Sequence, residues 1–358
     1  MTRLLLCGTD AGGAVNLAHV AVKATEAGIE TAVVTSSRCA HLWSTGAGEV
    51  SIDISRSELA RRLDADPPEA VICGTTSFPA IEQTILAEAE RRGVRRVVFV
   101  DERYGYRERF GATWPEAIAL LDQDAVREAV AAGLPSARCH ATGSPSLAAL
   151  VAQGSRYQEA PPAWPECVDS NAPYVTFLSE RIAADYGTSV ETPGPLGPYL
   201  GFTEDQVRSD LLATLESFHS DVMLVEKVHP GANAQPVSAR GLYVRHVVTR
   251  TADLPSLLWH SRFVVGMRSM ALLESALLGV PALSYQPSLG VEQRCTAVRL
   301  GVVPFVSTSQ ALGDWCRLAL GREDRQPPGA WEFARPDAAE RVLDLAVGET
   351  APQMPAQT

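Results

Sequence analysis

Two adjacent carboxylates, Asp101 and Glu102, close the apolar run Val97-Val98-Phe99-Val100, which suits a buried strand. A strand that ends by delivering two acids into a crevice is a candidate for general acid–base chemistry, with Asp101 the first choice of base and Glu102 the second. The alternative is an Asp that caps the next turn. A second group of candidates follows Phe263-Val264-Val265, where the chain reads Gly266-Met267-Arg268-Ser269-Met270. Gly266 permits a sharp turn, and Ser269 is placed to cap a helix whose face carries Leu272, Leu273, Ala276 and Leu277. A helix opening at the carboxyl end of a parallel strand offers free N–H groups to a phosphate. Glu274, about one turn further, is placed for a ribose hydroxyl. The same spacing also describes an ordinary α/β unit with a capped helix. His229 ends the run Val222–Val228, where an imidazole can bridge a phosphate or pass a proton near neutral pH; a lone histidine is also commonly structural.

Strands alternating with helices must position these groups. Leu4 to Cys7 is the expected first strand, and Gly8-Thr9-Asp10-Ala11-Gly12-Gly13 leads into a helix that Gly28 ends. The turn is not Gly-x-Gly-x-x-Gly, so a dinucleotide fingerprint is absent. Asp10 and the Gly12 and Gly13 amides are its candidate contacts, against the alternative that the glycines only make the turn. Ala70 to Cys73 is a further strand, and Gly74-Thr75-Thr76-Ser77 follows at its carboxyl end, where open α/β sheets keep their ligand contacts. Residues 1–155 form the expected first domain. Pro161, Pro162 and Pro165 mark residues 156–172 as a linker, and 173–336 form a second domain. A last helix covers 337–347, and 348–358 is the expected disordered tail.

Several of these segments resemble one family. Gly266-x-x-Ser269, a helix with Glu274, then Gly279-Val280-Pro281 and a strand resembles the nucleotide-binding segment of GT-B glycosyltransferases. The non-hydrolysing UDP-N-acetylglucosamine 2-epimerases share that fold. Asp101, Tyr106, Arg109 and Phe110 resemble a segment of uncharacterised GT-B-like proteins of polysaccharide and secondary-metabolite pathways. Lys227-Val228-His229-Pro230 and the turn Thr142-Gly143-Ser144-Pro145 also have counterparts there, with Ser144 in place of Asn. The resemblance implies two doubly wound Rossmann-like domains facing across a cleft, with the last helix crossing back to the first. It implies that Ser179, Arg181, Lys227 and residues 266–270 hold a diphosphate. Asp10, Gly12, Gly13, Thr75, Tyr106 and Arg109 would then lie on the sugar or acceptor side.

The implied activity is transfer of a sugar from a nucleotide-sugar donor to a hydroxyl of a small molecule or glycan, with no metal or other cofactor required. The epimerases' His-Arg-x-x-x-Glu and Asp-Ser-Gly-Gly patterns are missing, and Met267-Arg268-Ser269-Met270 stands in place of the latter. Epimerisation, hydrolysis or lysis of the nucleotide sugar stays open as an alternative, as does a non-catalytic nucleotide-binding protein. Composition narrows the rest. A net charge of −11 argues against non-specific nucleic-acid or anionic-membrane binding. No apolar stretch approaches a membrane span of about 20 residues. Seven cysteines without a Cys-x-x-Cys pair suggest reduced thiols in the cytoplasm, and a homodimer is among the expected states.

Overall fold

The computed structural model describes residues 3–43, 48–75, 81–107, 109–110, 114–168, 173–229, 231–232, 241–322 and 330–348. The expected positions Thr76, Ser77 and Pro230, and the tail from 349 onward, lie outside these. The chain divides into two compact units, residues 1–149 with 330–358, and residues 150–329.

The first unit is built on seven parallel strands: β1 (Arg3–Gly8), β2 (Glu30–Thr35), β3 (Glu49–Ile52), β4 (Ala70–Cys73), β5 (Arg95–Phe99), β6 (Ala117–Leu120) and β7 (Cys139–Ala141). Their order is β3-β2-β1-β4-β5-β6-β7, so the direction of winding reverses between β1 and β4. Leu4, Leu6, Ile72, Val97, Val98 and Ile118 are fully buried, as strands covered on both faces require. Edge strand β3 is different. Its Val50 and Ile52 are exposed, and without an apolar run it gives no sequence signal as a strand.

Helix α1 (Ala11–Glu26) is capped by Asp10, whose Oδ1 accepts from the Gly13 amide at 2.8 Å. Its first turn lies directly on the end of β4, since a Cβ on Gly74 would stand 2.7 Å from the Gly13 Cα. Helices α2 (Arg56–Ala65), α3 (Ile81–Arg91) and α4 (Gln123–Ala131) complete the α/β alternation, and α5 (Pro145–Glu159) continues as helix past residue 149.

The second unit contains β8 (Tyr174–Ser179), α6 (Ile182–Tyr186), the small antiparallel ribbon β9 (Gly187–Ser189) and β10 (Thr192–Pro193), and α7 (Glu204–Glu216). It continues through β11 (Val222–Val228), β12 (Val244–Thr249), α8 (Leu254–His260), β13 (Val264–Gly266), α9 (Ala271–Leu277), β14 (Ala282–Tyr285), α10 (Thr296–Arg299), β15 (Phe305–Val306) and α11 (Ser309–Leu320). Its six-stranded parallel sheet has the order β12-β11-β8-β13-β14-β15, with the reversal between β8 and β13. Phe177, Phe202, Leu211, Phe263 and Tyr285 fill its core. Inside this core Glu226 of β11 has no exposed surface. Arg208 of α7 holds it by a two-pronged pair (Nε to Oε2 2.7 Å, Nη2 to Oε1 2.8 Å), and His246 Nε2 lies 2.9 Å from Oε2. Burial alone would raise that carboxyl, but the bonds from His246 and Arg208 hold it below its usual range.

The last helix, α12 (Ala338–Val347), packs in the first unit. Lys23 of α1 pairs with Glu340 at 3.1 Å, Arg95 Nε donates to the Leu345 carbonyl at 2.7 Å, and the Ser144 amide donates to Phe333 O at 2.7 Å.

Candidate functional site

In an open parallel sheet, ligand contacts gather at the carboxyl ends of the strands where the winding reverses. In the first unit this point lies between β1 and β4, with β5 beside β4. The residues that follow these strands meet there. The Asp101 carboxylate rests on the α1 turn so closely that a Cβ at position 12 would overlap its Oδ2 and displace that side chain. Arg109 is buried and donates from Nη1 to Thr75 Oγ1 at 2.9 Å, while its Nη2 pairs with Glu102. Its guanidinium also lies over the Tyr104 ring, 5.4 Å from the centroid, and the Tyr104 hydroxyl donates to Glu102 Oε1 at 2.8 Å.

Glu82, in the first turn of α3, accepts the Thr9 amide at 2.9 Å and the Thr9 hydroxyl on Oε1. Among the described residues its buried Oε2 has no hydrogen-bond partner. Glu102 thus pairs with the Arg109 guanidinium, whose charge also acts on Asp10 and Asp101, while the Glu82 charge acts on Asp10. Burial, reinforced by the Glu102 and Asp10 charges, holds the Asp101 carboxyl well above the usual carboxylate range. Burial pushes Asp10 to about 6; the Gly13 amide opposes this, while Glu82 and Glu102 add to it.

The fold therefore brings together Asp10, Gly12, Gly13, Thr75, Asp101, Glu102 and Arg109. It does not bring Tyr106 to them. That side chain is buried with its hydroxyl donating to Glu128 Oε2 of α4 at 3.1 Å, beside the Arg103–Glu128 pair, because the 103–106 segment turns back onto α4. Glu82 is a member that sequence reasoning missed. An acid in a first helical turn looks like an ordinary partner of the helix dipole.

In the second unit the reversal lies between β8 and β13, and the residues after these strands again converge. The amides of Met267, Arg268 and Ser269 all donate to one oxygen, Glu180 Oε1, at 3.0, 2.6 and 3.0 Å. The N–H groups expected to receive a phosphate are thus occupied by a carboxylate of the same chain. Burial raises this carboxyl, with Arg268 and the three amides opposing. The expected cap also shifts by one residue. Met270 takes the cap position of α9, and Ser269 Oγ accepts from the Ala271 amide at 3.2 Å. The Met267 side chain is core, and Gly266 ends β13.

Arg268 stacks over the Tyr186 ring, 5.2 Å from its centroid. Arg181 pairs with Asp185 at 3.2 Å. His229 accepts the Gly231 amide on Nδ1 at 3.0 Å, so the neutral ring carries its proton on Nε2. Burial and then the Arg181 charge lower its pKa. Glu274 is half-buried with its carboxyl pushed to about 7 by burial.

Two expected phosphate ligands are committed elsewhere. Lys227 donates its ammonium to the carbonyls of Arg250 (2.5 Å) and Ala252 (3.0 Å), tying down the loop between β12 and α8. The Ser179 hydroxyl bonds to the buried Glu226. Among the described residues no cluster of three or more His, Cys, Asp or Glu is placed to hold a metal ion, and no helix is long and apolar enough to cross a membrane.

No family model matches the chain, and no curated protein matches it in sequence. Solved structures do. Staphylococcus aureus MnaA in its structure with UDP is similar at a TM-score of 0.68 and 14% identity, over 96% of this chain and 95% of that one. The UDP-GlcNAc 2-epimerase of Methanocaldococcus jannaschii, in complex with UDP-GlcNAc and UDP, gives 0.66 and 10%, over 97% and 100%. The glycotransferase of kitacinnamycin gives 0.56 and 13%, over 97% and 94%. The likeness spans nearly the whole of each chain, and two parallel sheets wound in both directions account for it. This chain therefore has the GT-B fold, two Rossmann-like units as found in 2-epimerases of UDP-GlcNAc and in glycosyltransferases.

Proposed function

We propose that this protein is an enzyme of nucleotide-linked sugars that transfers the sugar to a hydroxyl acceptor, with Asp101 as the general base. The observation that carries this reading is the acid group at the first switch point. Asp101 is held against Gly12 with Asp10 and Glu102 beside it, and its carboxyl is well above the usual range. A carboxylate raised above its ordinary value of about 4 is, once ionised, a stronger base. Arg109, bonded to Thr75 and Glu102, orients the neighbouring acid.

In the second unit Arg181 and Arg268 are suited to stabilise charge on a departing nucleotide. His229 offers Nε2–H as a donor, and Glu274 offers a carboxyl to a ribose hydroxyl. The fold supports the substrate class, since its similar structures hold UDP or UDP-GlcNAc. Missing epimerase patterns, and a carboxylate in the turn after β13, favour transfer over epimerisation.

Epimerisation or hydrolysis is the second reading, favoured by higher TM-scores to 2-epimerases than to the glycotransferase. One experiment separates them. The protein is incubated with UDP-, CDP-, GDP-, dTDP- and CMP-sugars, with and without a panel of hydroxylated acceptors, and the products are resolved by NMR and mass spectrometry. Nucleotide released only when acceptor is present supports transfer. An intact nucleotide carrying an inverted sugar centre establishes epimerisation instead, and nucleotide released into water establishes hydrolysis. No conversion and no binding of any donor removes both readings.

A further inference from the structure

Glu180 lies between Ser179 and Arg181 at the end of β8, where sequence alone marks its neighbours and not itself. We propose that Glu180 sets how many phosphates the second unit accepts: seated in the 267–269 turn, its carboxylate selects a nucleotide with one phosphate over its diphosphate. This rests on the nucleotide reading above and deepens it.

The geometry comes first. One carboxylate oxygen takes three backbone N–H groups at 2.6–3.0 Å, the coordination that a phosphate oxygen adopts in such a concave turn. Those donors cannot serve a second anion while Glu180 is in place. Its position is also well anchored. β8 pairs with β13 through Val264 and Val265, so the backbone that bears Glu180 and the turn that receives it belong to adjacent strands.

Charge is the second argument. Two of the guanidinium groups at this edge already face carboxylates: Arg268 acts on Glu180 and Arg181 pairs with Asp185, while Arg250 donates to the Ala232 carbonyl at 3.0 Å. Lys227 is turned to the β12–α8 loop, and His229 is held towards its neutral form. A phosphate drawn to Arg181 or Arg268 leaves the turn to Glu180, whereas a second would meet that carboxylate where the three N–H groups are already taken.

The test is calorimetric titration of the full chain, wild type and Glu180→Gln and Glu180→Ala, with the mono- and diphosphates of uridine, cytidine, guanosine and thymidine. For the base that binds, wild type is expected to favour the monophosphate by about ten-fold or more. Glu180→Ala, which empties the turn, is expected to reverse that order. Glu180→Gln keeps the shape, removes only the charge, and is expected to narrow the preference; it carries the test should the alanine variant fail to fold by circular dichroism. A wild-type preference for the diphosphate overturns the proposal, as does a preference unchanged in a folded variant. Binding of no nucleotide by any folded form would instead remove the nucleotide reading on which the proposal stands.

Discussion

Ionising Asp101 works against its burial and then the charges of Glu102 and Asp10, with Arg109 and a backbone N–H opposing them. Asp101→Asn removes both the repulsion and the proton acceptor. It is expected to lower turnover by about 10²–10⁴-fold, with nucleotide affinity unchanged in the same titration; turnover at the wild-type rate would exclude Asp101 as the base. Asp10 gives a pH signature. Its carboxyl is raised to about 6 in the folded protein, above an unfolded value of about 4. The folded state therefore binds the proton more tightly, and the contribution to stability is full below about pH 4 and lost as pH rises through about 6. Asn caps a helix as well as Asp does, so Asp10→Asn is expected to melt with a weaker dependence on pH across that window. Equal slopes for variant and wild type would show that Asp10 titrates normally. At this scale the sequence revealed acids better than their partners. Asp101 and Glu102 announced themselves by ending an apolar run. Glu180 did not, because nothing in its neighbours' spacing says that a turn 87 residues on will close over it.

The elements that carry these groups depend on close backbone approach. A Cβ on Gly74 would meet the Gly13 Cα at 2.7 Å, with backbone on both sides and no flexible side chain to yield. Gly74→Ala is expected to cost about 1–3 kcal/mol in urea unfolding and, by pushing α1 from β4, to reduce turnover as well. Full stability in this variant would mean that the contact relaxes freely. Most strands were legible from their apolar runs, β1, β4, β5 and β11 among them, because a doubly covered parallel strand leaves little room for polar residues. β3 was not, since an edge strand with Val50 and Ile52 in solvent lacks that run. Lys227 misled for a related reason: its motif placed it beside His229, but only the fold shows the Arg250 and Ala252 carbonyls that take its ammonium.

At the scale of the molecule, the first unit is assembled from both ends of the chain and the second from its middle. α12 contributes Val342, Leu343 and Leu345 to the first unit's buried surface, together with the Arg95 and Lys23 contacts. Deleting residues from 330 onward is expected to raise amide exchange in α1, β4 and β5 while leaving β8, β11 and β13 protected. Equal loss of protection in both units would show that they unfold as one. The alternation of β and α elements made the two-unit fold readable, whereas the exact point of division was not, because α5 runs through it without a break.

That interleaving has a consequence for synthesis. A ribosome moving at about 5–20 residues per second delivers all seven strands of the first sheet, then spends about 10–35 seconds on the residues of the second unit before α12 appears. During that interval the faces of α1 and β5 that α12 covers are open. The nascent first unit must wait, incomplete, while its neighbour is finished first.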